Sequence, residues 1–162
     1  MQTKSISPDP IFMEQAIELA TANVADSCGG PFGAVIVRSG EVVATGVNLV
    51  TSTNDPTAHA EVTAIRNAGA ALQTFQLTGC EIYTSCEPCP MCLAAIYWSR
   101  LDAIFYGNSA ADAARAGFND VMLYQEVARP HHERSISIQP LLSERAWSSF
   151  AAWQQSSCRV DY

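Results

Sequence analysis

The sequence predicts an α/β fold, a three-layer α/β/α sandwich around a mixed central sheet of about five strands. Segments rich in Val and Ile alternate along the chain with segments whose apolar residues recur at helical spacing, and alternation of that kind stacks helices on both faces of a sheet. At 162 residues the chain has the bulk for one domain with its own core and little left for a second, so residues 1–162 are expected to form a single domain.

The elements follow in order. Residues up to Ser7 carry no pattern; Asp9 and Pro10 then read as an N-cap followed by proline at the first helical position, and Phe12, Met13, Ala16, Ile17, Ala20 and Val24 recur at helical spacing to an end near Asp26. After the turn Cys28-Gly29-Gly30-Pro31, residues 34–38 and 41–48 form two strands joined at Ser39-Gly40, a hairpin. A polar loop over 51–56 leads into a helix over 59–72, one face of which carries Val62 and Ile65. A strand over 81–84, a helix over 90–98 and a strand over 103–106 come next. Helical pieces over 110–116 and 121–128, a short strand over 136–138 and a last helix from about Ser143 complete the reading, with 156–162 left as a polar tail.

Bulk properties exclude several roles. Hydrophobic residues make up 48% of the chain, yet Gly, Pro or charge breaks every run before it could span a bilayer, and no basic-then-apolar leader is present; a cytoplasmic protein without membrane contact is expected. The 9 basic residues are outnumbered by 16 acidic ones, giving a net charge of -7 that repels polyanions, so nucleic acid is not the expected partner. Six cysteines without a secretory segment read as reduced thiols, two of them at metal spacing.

Those two lie in Pro88-Cys89-Pro90-Met91-Cys92, with His59-Ala60-Glu61 well upstream. His59, Cys89 and Cys92 supply three ligands for one zinc ion, and Glu61 stands beside them unligated, the His-x-Glu and Pro-Cys-x-x-Cys signature of zinc deaminases. A structural zinc site closes its tetrahedron with protein, whereas a catalytic one keeps a position for water. Residues two apart on a helix diverge, so His59 and Glu61 can share a site only off the helix N-terminus. Cys89 and Cys92, three apart, fit one side of a first turn that Pro90 suits. Two helix N-termini are therefore expected to converge on the ion, their positive dipole ends favouring thiolates. The competing reading is a closed structural site with Cys86 as fourth ligand, which would leave Glu61 without a task.

The segments 54–66 and 83–92, with Gly29-Gly30-Pro31-Phe32-Gly33-Ala34-Val35, Ala114-Arg115-Ala116-Gly117-Phe118-Asn119-Asp120 and the terminal tyrosine, resemble the bacterial guanine deaminases of the cytidine deaminase superfamily. The resemblance runs from Ile11 to Tyr162 and implies a cytidine deaminase-like fold and the hydrolysis of guanine to xanthine and ammonia, with hydroxide attacking the amino-bearing ring carbon. It implies that Glu61 shuttles the proton and that Asp120 binds and protonates the departing amino group. Asn48 and the backbone N-H of Ala60 would anchor the base, and Phe32 would stack on it. It further implies a homodimer that exchanges its C-terminal segment, so that residues 156–162 cover the partner's site and Tyr162 touches substrate in trans.

Each assignment has a plainer counterpart. Asn48 also reads as a turn residue, Asp120 as a helix cap, Phe32 as core, and Tyr162 as a loose end. Gly29-Gly30 is no phosphate loop, since no Gly-Lys-Ser/Thr follows. His131 and His132 read as exposed loop residues, and Trp98, Trp147 and Trp153 as core or dimer contacts. Two rivals remain: a tRNA adenosine deaminase, which shares the zinc motifs but needs basic residues along a groove, and a zinc-stabilised module without catalysis.

Overall fold

A computed structural model describes residues 7–162 of the chain; residues 1–6, where the sequence shows no pattern, lie outside it. Asp9 caps the first helix, α1 (Pro10–Ala25), its carboxylate accepting from the Ile11 N-H at 3.0 Å, and the helix stops at Asp26 as its spacing predicts. The hairpin forms from β1 (Gly33–Arg38) and β2 (Glu41–Val47), with Ser39 and Gly40 both at positive φ in the turn. A single turn of helix, α2 (Val50–Thr53), occupies part of the expected polar loop.

The middle of the chain supplies α3 (Ala60–Leu72), β3 (Cys80–Cys86), α4 (Pro90–Trp98) and β4 (Ala103–Asn108). The strands form one sheet in the order β2-β1-β3-β4, antiparallel at the first two pairings and parallel at the last. The mixed sheet thus has four strands among the described residues. Residues 136–138, expected as a short strand, pair with nothing and are exposed. Two isoleucines alternating around one serine are too little apolar surface to hold an edge position, and no hairpin turn delivers them to one.

Successive residues of β1 alternate between the two faces of the sheet. Ala34 and Ile36 join Ala60, Ala64, Ala68, Ile82 and Ile96 in the core under α3 and α4, whereas Val35 and Val37 pack with Ala16 and Tyr83 under α1. Small residues on α3 let it lie very close to β2: a Cβ added at Gly46 would stand 2.3 Å from the Ala60 carbonyl oxygen. No helix among the described residues is long and apolar enough to cross a membrane.

The last third is different in character. It holds α5 (Ala110–Arg115), α6 (Val121–Ala128), a 3-10 turn (His131–Glu133) and α7 (Ser143–Gln155), and neither α6 nor α7 has a buried residue. Trp98, Trp147 and Trp153 are all exposed, so within this chain none is a core residue as the sequence allowed.

Candidate active site

His59 is the N-cap of α3, its backbone extended at φ -69 and ψ 157, and Cys89 is the N-cap of α4 at φ -65 and ψ 168. Both therefore precede their helices, and Glu61 and Cys92 fall in the first turns. Pro90 enforces this at Cys89, because a residue before proline is driven out of the helical region. The donor atoms of His59, Cys89 and Cys92 lie within 4.8 Å of one another, with the imidazole Nδ1 at 3.7 Å from the Cys89 sulfur and 3.5 Å from that of Cys92.

The chemistry of these donors suits a cation. Hydrogen bonding from the Cys92 thiol, aided by that of His59, brings the Cys89 thiol down to about 4, so it is a thiolate at neutral pH. The same contact to Cys89, followed by burial, pushes the Cys92 thiol up. Without an ion, the Cys92 thiol and the His59 imidazole, which is itself raised by its contact with Cys89, thus share their protons around one thiolate. A divalent ion would let both thiols ionise, and zinc takes this mixture of sulfur and nitrogen ligands.

Cys86 does not complete the set. Its thiol contacts the Ser109 carbonyl oxygen at 3.8 Å, burial pushes it up to about 11, and it is absent from the ligand cluster. Among the described residues the cluster has three protein donors, and Cys86 is not a fourth. His131 and His132 sit on the exposed 3-10 turn, apart from the cluster, where His132 pairs with Glu133 at 3.4 Å.

Beside the cluster opens a cavity of about 240 Å³ bordered by Phe32, Asn48, His59, Glu61, Cys89, Phe118 and Asp120. The edge of one phenyl ring meets the face of the other, with Phe32 and Phe118 centroids 4.9 Å apart at 81°. Glu61 is only 6% exposed, and burial raises its carboxyl above the usual range. Asp120 is raised too, by burial first and the Cys89 thiolate second. It occupies the N-cap position of α6 but makes no capping hydrogen bond, so its carboxylate is left to the cavity.

Asn48 is buried just beyond β2, and its Oδ1 accepts from the Gly30 N-H at 3.4 Å and the Val50 N-H at 3.3 Å. Its amide NH2 remains as a donor. Ala60, as the first residue of α3, has a backbone N-H with no acceptor inside the helix. Tyr162 lies elsewhere, its ring 5.9 Å from that of Trp98 on the outer side of α4.

Sequence reasoning missed Phe118, Glu87 and Thr51 as cavity residues. Phe118 stands in a stretch without periodicity, so only its proximity to Asp120 could have marked it. Glu87 directly precedes the cysteine motif and accepts from the Ala110 N-H at 2.9 Å, tying that motif to α5. Tyr124 ties it to α6 by donating to the Pro88 carbonyl oxygen at 2.9 Å.

Residues 7–108 match the cytidine and deoxycytidylate deaminase zinc-binding region. The chain is 50% identical over 151 residues to guanine deaminase of Bacillus subtilis (strain 168), covering 93% of this chain and 97% of that one. The crystal structure of guanine deaminase from Bacillus subtilis superposes with a TM-score of 0.93 at 48% identity, over 96% of this chain and 99% of that one. A tRNA-specific adenosine deaminase of Aquifex aeolicus (strain VF5) is 44% identical over 87 residues, which is 54% of this chain and 56% of that one. The chain belongs to the cytidine and deoxycytidylate deaminase family of zinc enzymes.

Proposed function

We infer that this enzyme hydrolyses guanine to xanthine and ammonia. The observation that carries the reading is the cavity itself: about 240 Å³, walled by the aromatic pair Phe32 and Phe118, with a hydrogen-bonding amide, two carboxyls and the metal ligands around it. A flat base with several polar edges fits such a slot, and bound zinc would supply a water activated for deprotonation at neutral pH.

The remaining chemistry belongs to protein groups. Glu61 takes the proton of the attacking water and delivers it to the ring nitrogen. Burial raises its pKa toward the working pH, so the carboxylate takes the proton readily and the acid can still return it. Asp120 holds the exocyclic amino group and protonates it as it departs, and the proton released from the added hydroxyl as the carbonyl forms restores the acid. The Asn48 NH2 and the Ala60 N-H donate to acceptors on the purine, while Phe32 stacks against its face. His59, Cys89 and Cys92 hold one zinc ion per subunit.

A tRNA substrate is disfavoured by charge and by extent. With 9 basic against 16 acidic residues the chain offers no electrostatic path for a polyanion. The sequence likeness to the Aquifex aeolicus tRNA deaminase covers 54% of the chain, against 93% for the Bacillus subtilis guanine deaminase.

We further read the active form as a cytoplasmic homodimer in purine breakdown, one catalytic domain per subunit, with the C-terminal segment exchanged. Support comes from α7, where the Trp147 and Phe150 rings meet at 5.5 Å, tilted by 55°, while both stay exposed, an apolar surface that a second subunit would cover. In that arrangement residues 156–162 reach the partner's cavity and Tyr162 closes it. Deleting residues 158–162 should then depress turnover and leave zinc content intact; unchanged turnover would exclude a role for the tail.

The test of the activity is ammonia release from zinc-loaded protein given guanine, adenine, cytosine and cytidine in parallel. Guanine alone should be consumed, and Glu61→Gln should abolish turnover while retaining zinc. Activity of that variant would refute the proton-shuttle role, and silence with every base would refute the guanine reading.

A further inference from the structure

The cavity wall made by Gly30, Phe32 and Asn48 is held from behind by one residue that does not line it. Asn23, on the last turn of α1, is 5% exposed, and its Nδ2 donates to the Gly30 carbonyl oxygen at 2.8 Å and to the Asn48 carbonyl oxygen at 2.9 Å. Those two residues are linked again on the cavity side, where the Gly30 N-H donates to Asn48 Oδ1 at 3.4 Å. Phe32 closes the ring: its N-H donates to the Gly30 oxygen at 2.8 Å, and its own oxygen accepts from the Asn48 N-H at 3.1 Å.

We propose that Asn23 is a positioning residue for the substrate, fixing the direction of the Asn48 amide and the plane of Phe32 without touching the base. The inference rests on the guanine reading for what binds, and on the hydrogen bonds alone for what is held.

The residue type is explained by the geometry. One nitrogen must serve two carbonyl oxygens on separate segments, which requires two hydrogens on one short side chain. Serine or threonine has a single hydrogen to give, and aspartate would set a carboxylate oxygen against two carbonyl oxygens. The packing leaves no slack either: a Cβ at Gly29 would lie 2.0 Å from the Asn48 carbonyl oxygen and 3.1 Å from Asn23 Nδ2. The loop and the end of β2 are thus pressed together, and Asn23 decides their relative orientation. Asn48 is then held at its backbone N-H, its backbone oxygen and its side-chain oxygen, which leaves only the NH2 for a ligand.

The test uses the full-length zinc enzyme carrying Asn23→Asp, which preserves side-chain size, with Asn23→Ala as the second variant. KM for guanine should rise about tenfold while kcat stays within about threefold and zinc content is unchanged, the pattern for binding lost equally in ground and transition states. In an Asn48→Ala background, Asn23→Asp should cost clearly less than it does alone, because one of the two groups it orients is gone. A fall in kcat at constant KM, or losses that multiply in the double variant, would overturn the proposal. Hydrogen exchange gives an answer independent of turnover. The Gly30 and Val50 amides, both bonded to Asn48 Oδ1, should lose protection in Asn23→Asp while the α3 amides keep theirs. Uniform loss, or none, refutes the positioning role whether or not guanine is the substrate, whereas selective loss without guanine turnover refutes only the substrate.

Discussion

Replacing Gly46 by alanine should damage catalysis from outside the cavity. Gly46 is buried in β2, and its added Cβ would stand 2.3 Å from the Ala60 oxygen, 2.3 Å from the Ala64 nitrogen and 2.9 Å from the Ala64 Cα. All three neighbours are backbone, so no side chain can swing away. Ordinary contact begins at 3.4 Å, and reaching it requires α3 to withdraw from β2 by about 1 Å. The helix would carry His59 and Glu61 with it, away from Cys89 and Cys92 on α4. Overpacking of this kind costs about 1–3 kcal/mol, which lowers the melting temperature of a domain this size by roughly 2–12 °C. A displacement of about 1 Å at reacting groups can cost on the order of 100-fold in rate. The assay pairs kcat/KM with zinc release to a chelator and thermal unfolding. Gly40→Ala is the control: φ is +81 there and nothing lies within 4 Å, so alanine brings turn strain and leaves the site alone. If Gly46→Ala keeps parental kcat/KM and stability, the close approach of β2 and α3 does not set the position of the acid.

Three other outcomes are expected. Cys92→Ser should lose zinc and turnover together, while Cys86→Ser should retain both, as measured by metal analysis of purified protein; zinc loss from the second would revive a fourth protein ligand. Phe118→Ala removes the edge that meets Phe32 and opens the slot, and KM for guanine should rise about tenfold, from the loss of an aromatic contact of roughly 0.5–1.5 kcal/mol and of water exclusion. In zinc-free protein, Glu61→Gln should unfold at a higher temperature than the parent at pH 7. Burial raises the folded-state pKa of Glu61 above its unfolded value, so its ionisation opposes folding. That penalty is absent below the unfolded pKa of about 4.3 and complete above the folded one, and the advantage of the glutamine should shrink as pH falls toward 4. An advantage constant with pH would show that packing, not charge, produced it.

The fold was legible wherever an element packs within this chain. Apart from the single turn α2, which the sequence reads as loop, the helices up to α4 and all four strands match the reading to within a few residues: α1 and α3 repeat at helical spacing, and the strands are short Val- and Ile-rich runs. Beyond Asn108 the reading becomes weaker for a physical reason. In α6 and α7 apolar residues such as Val127, Trp147 and Phe150 are present at helical spacing but face away from this chain's core. Periodicity announces that a face exists without saying what covers it, so the helices are legible there while core and intersubunit contact are indistinguishable for the tryptophans. Residues 136–138 failed from the opposite cause: their alternation was real, but three residues cannot specify a partner strand.

The metal ligands were legible for a reason that also explains what was missed. His59 and Glu61 are two apart, which a helix cannot reconcile with a common target, and the conflict disappears only if the first of them precedes the helix. Pro90 carries the same information for Cys89 by excluding helical geometry one residue earlier. Local stereochemistry therefore writes both pairs into the sequence. Asn23 and Phe118 belong to two segments whose meeting depends on the packed sheet, and neither residue type carries a local pattern that points to a site. What distinguishes Asn23 is that one nitrogen answers two carbonyl oxygens from separate segments. That property exists only after the chain has folded, so the groups that would aim the substrate are harder to read than the groups that would react with it.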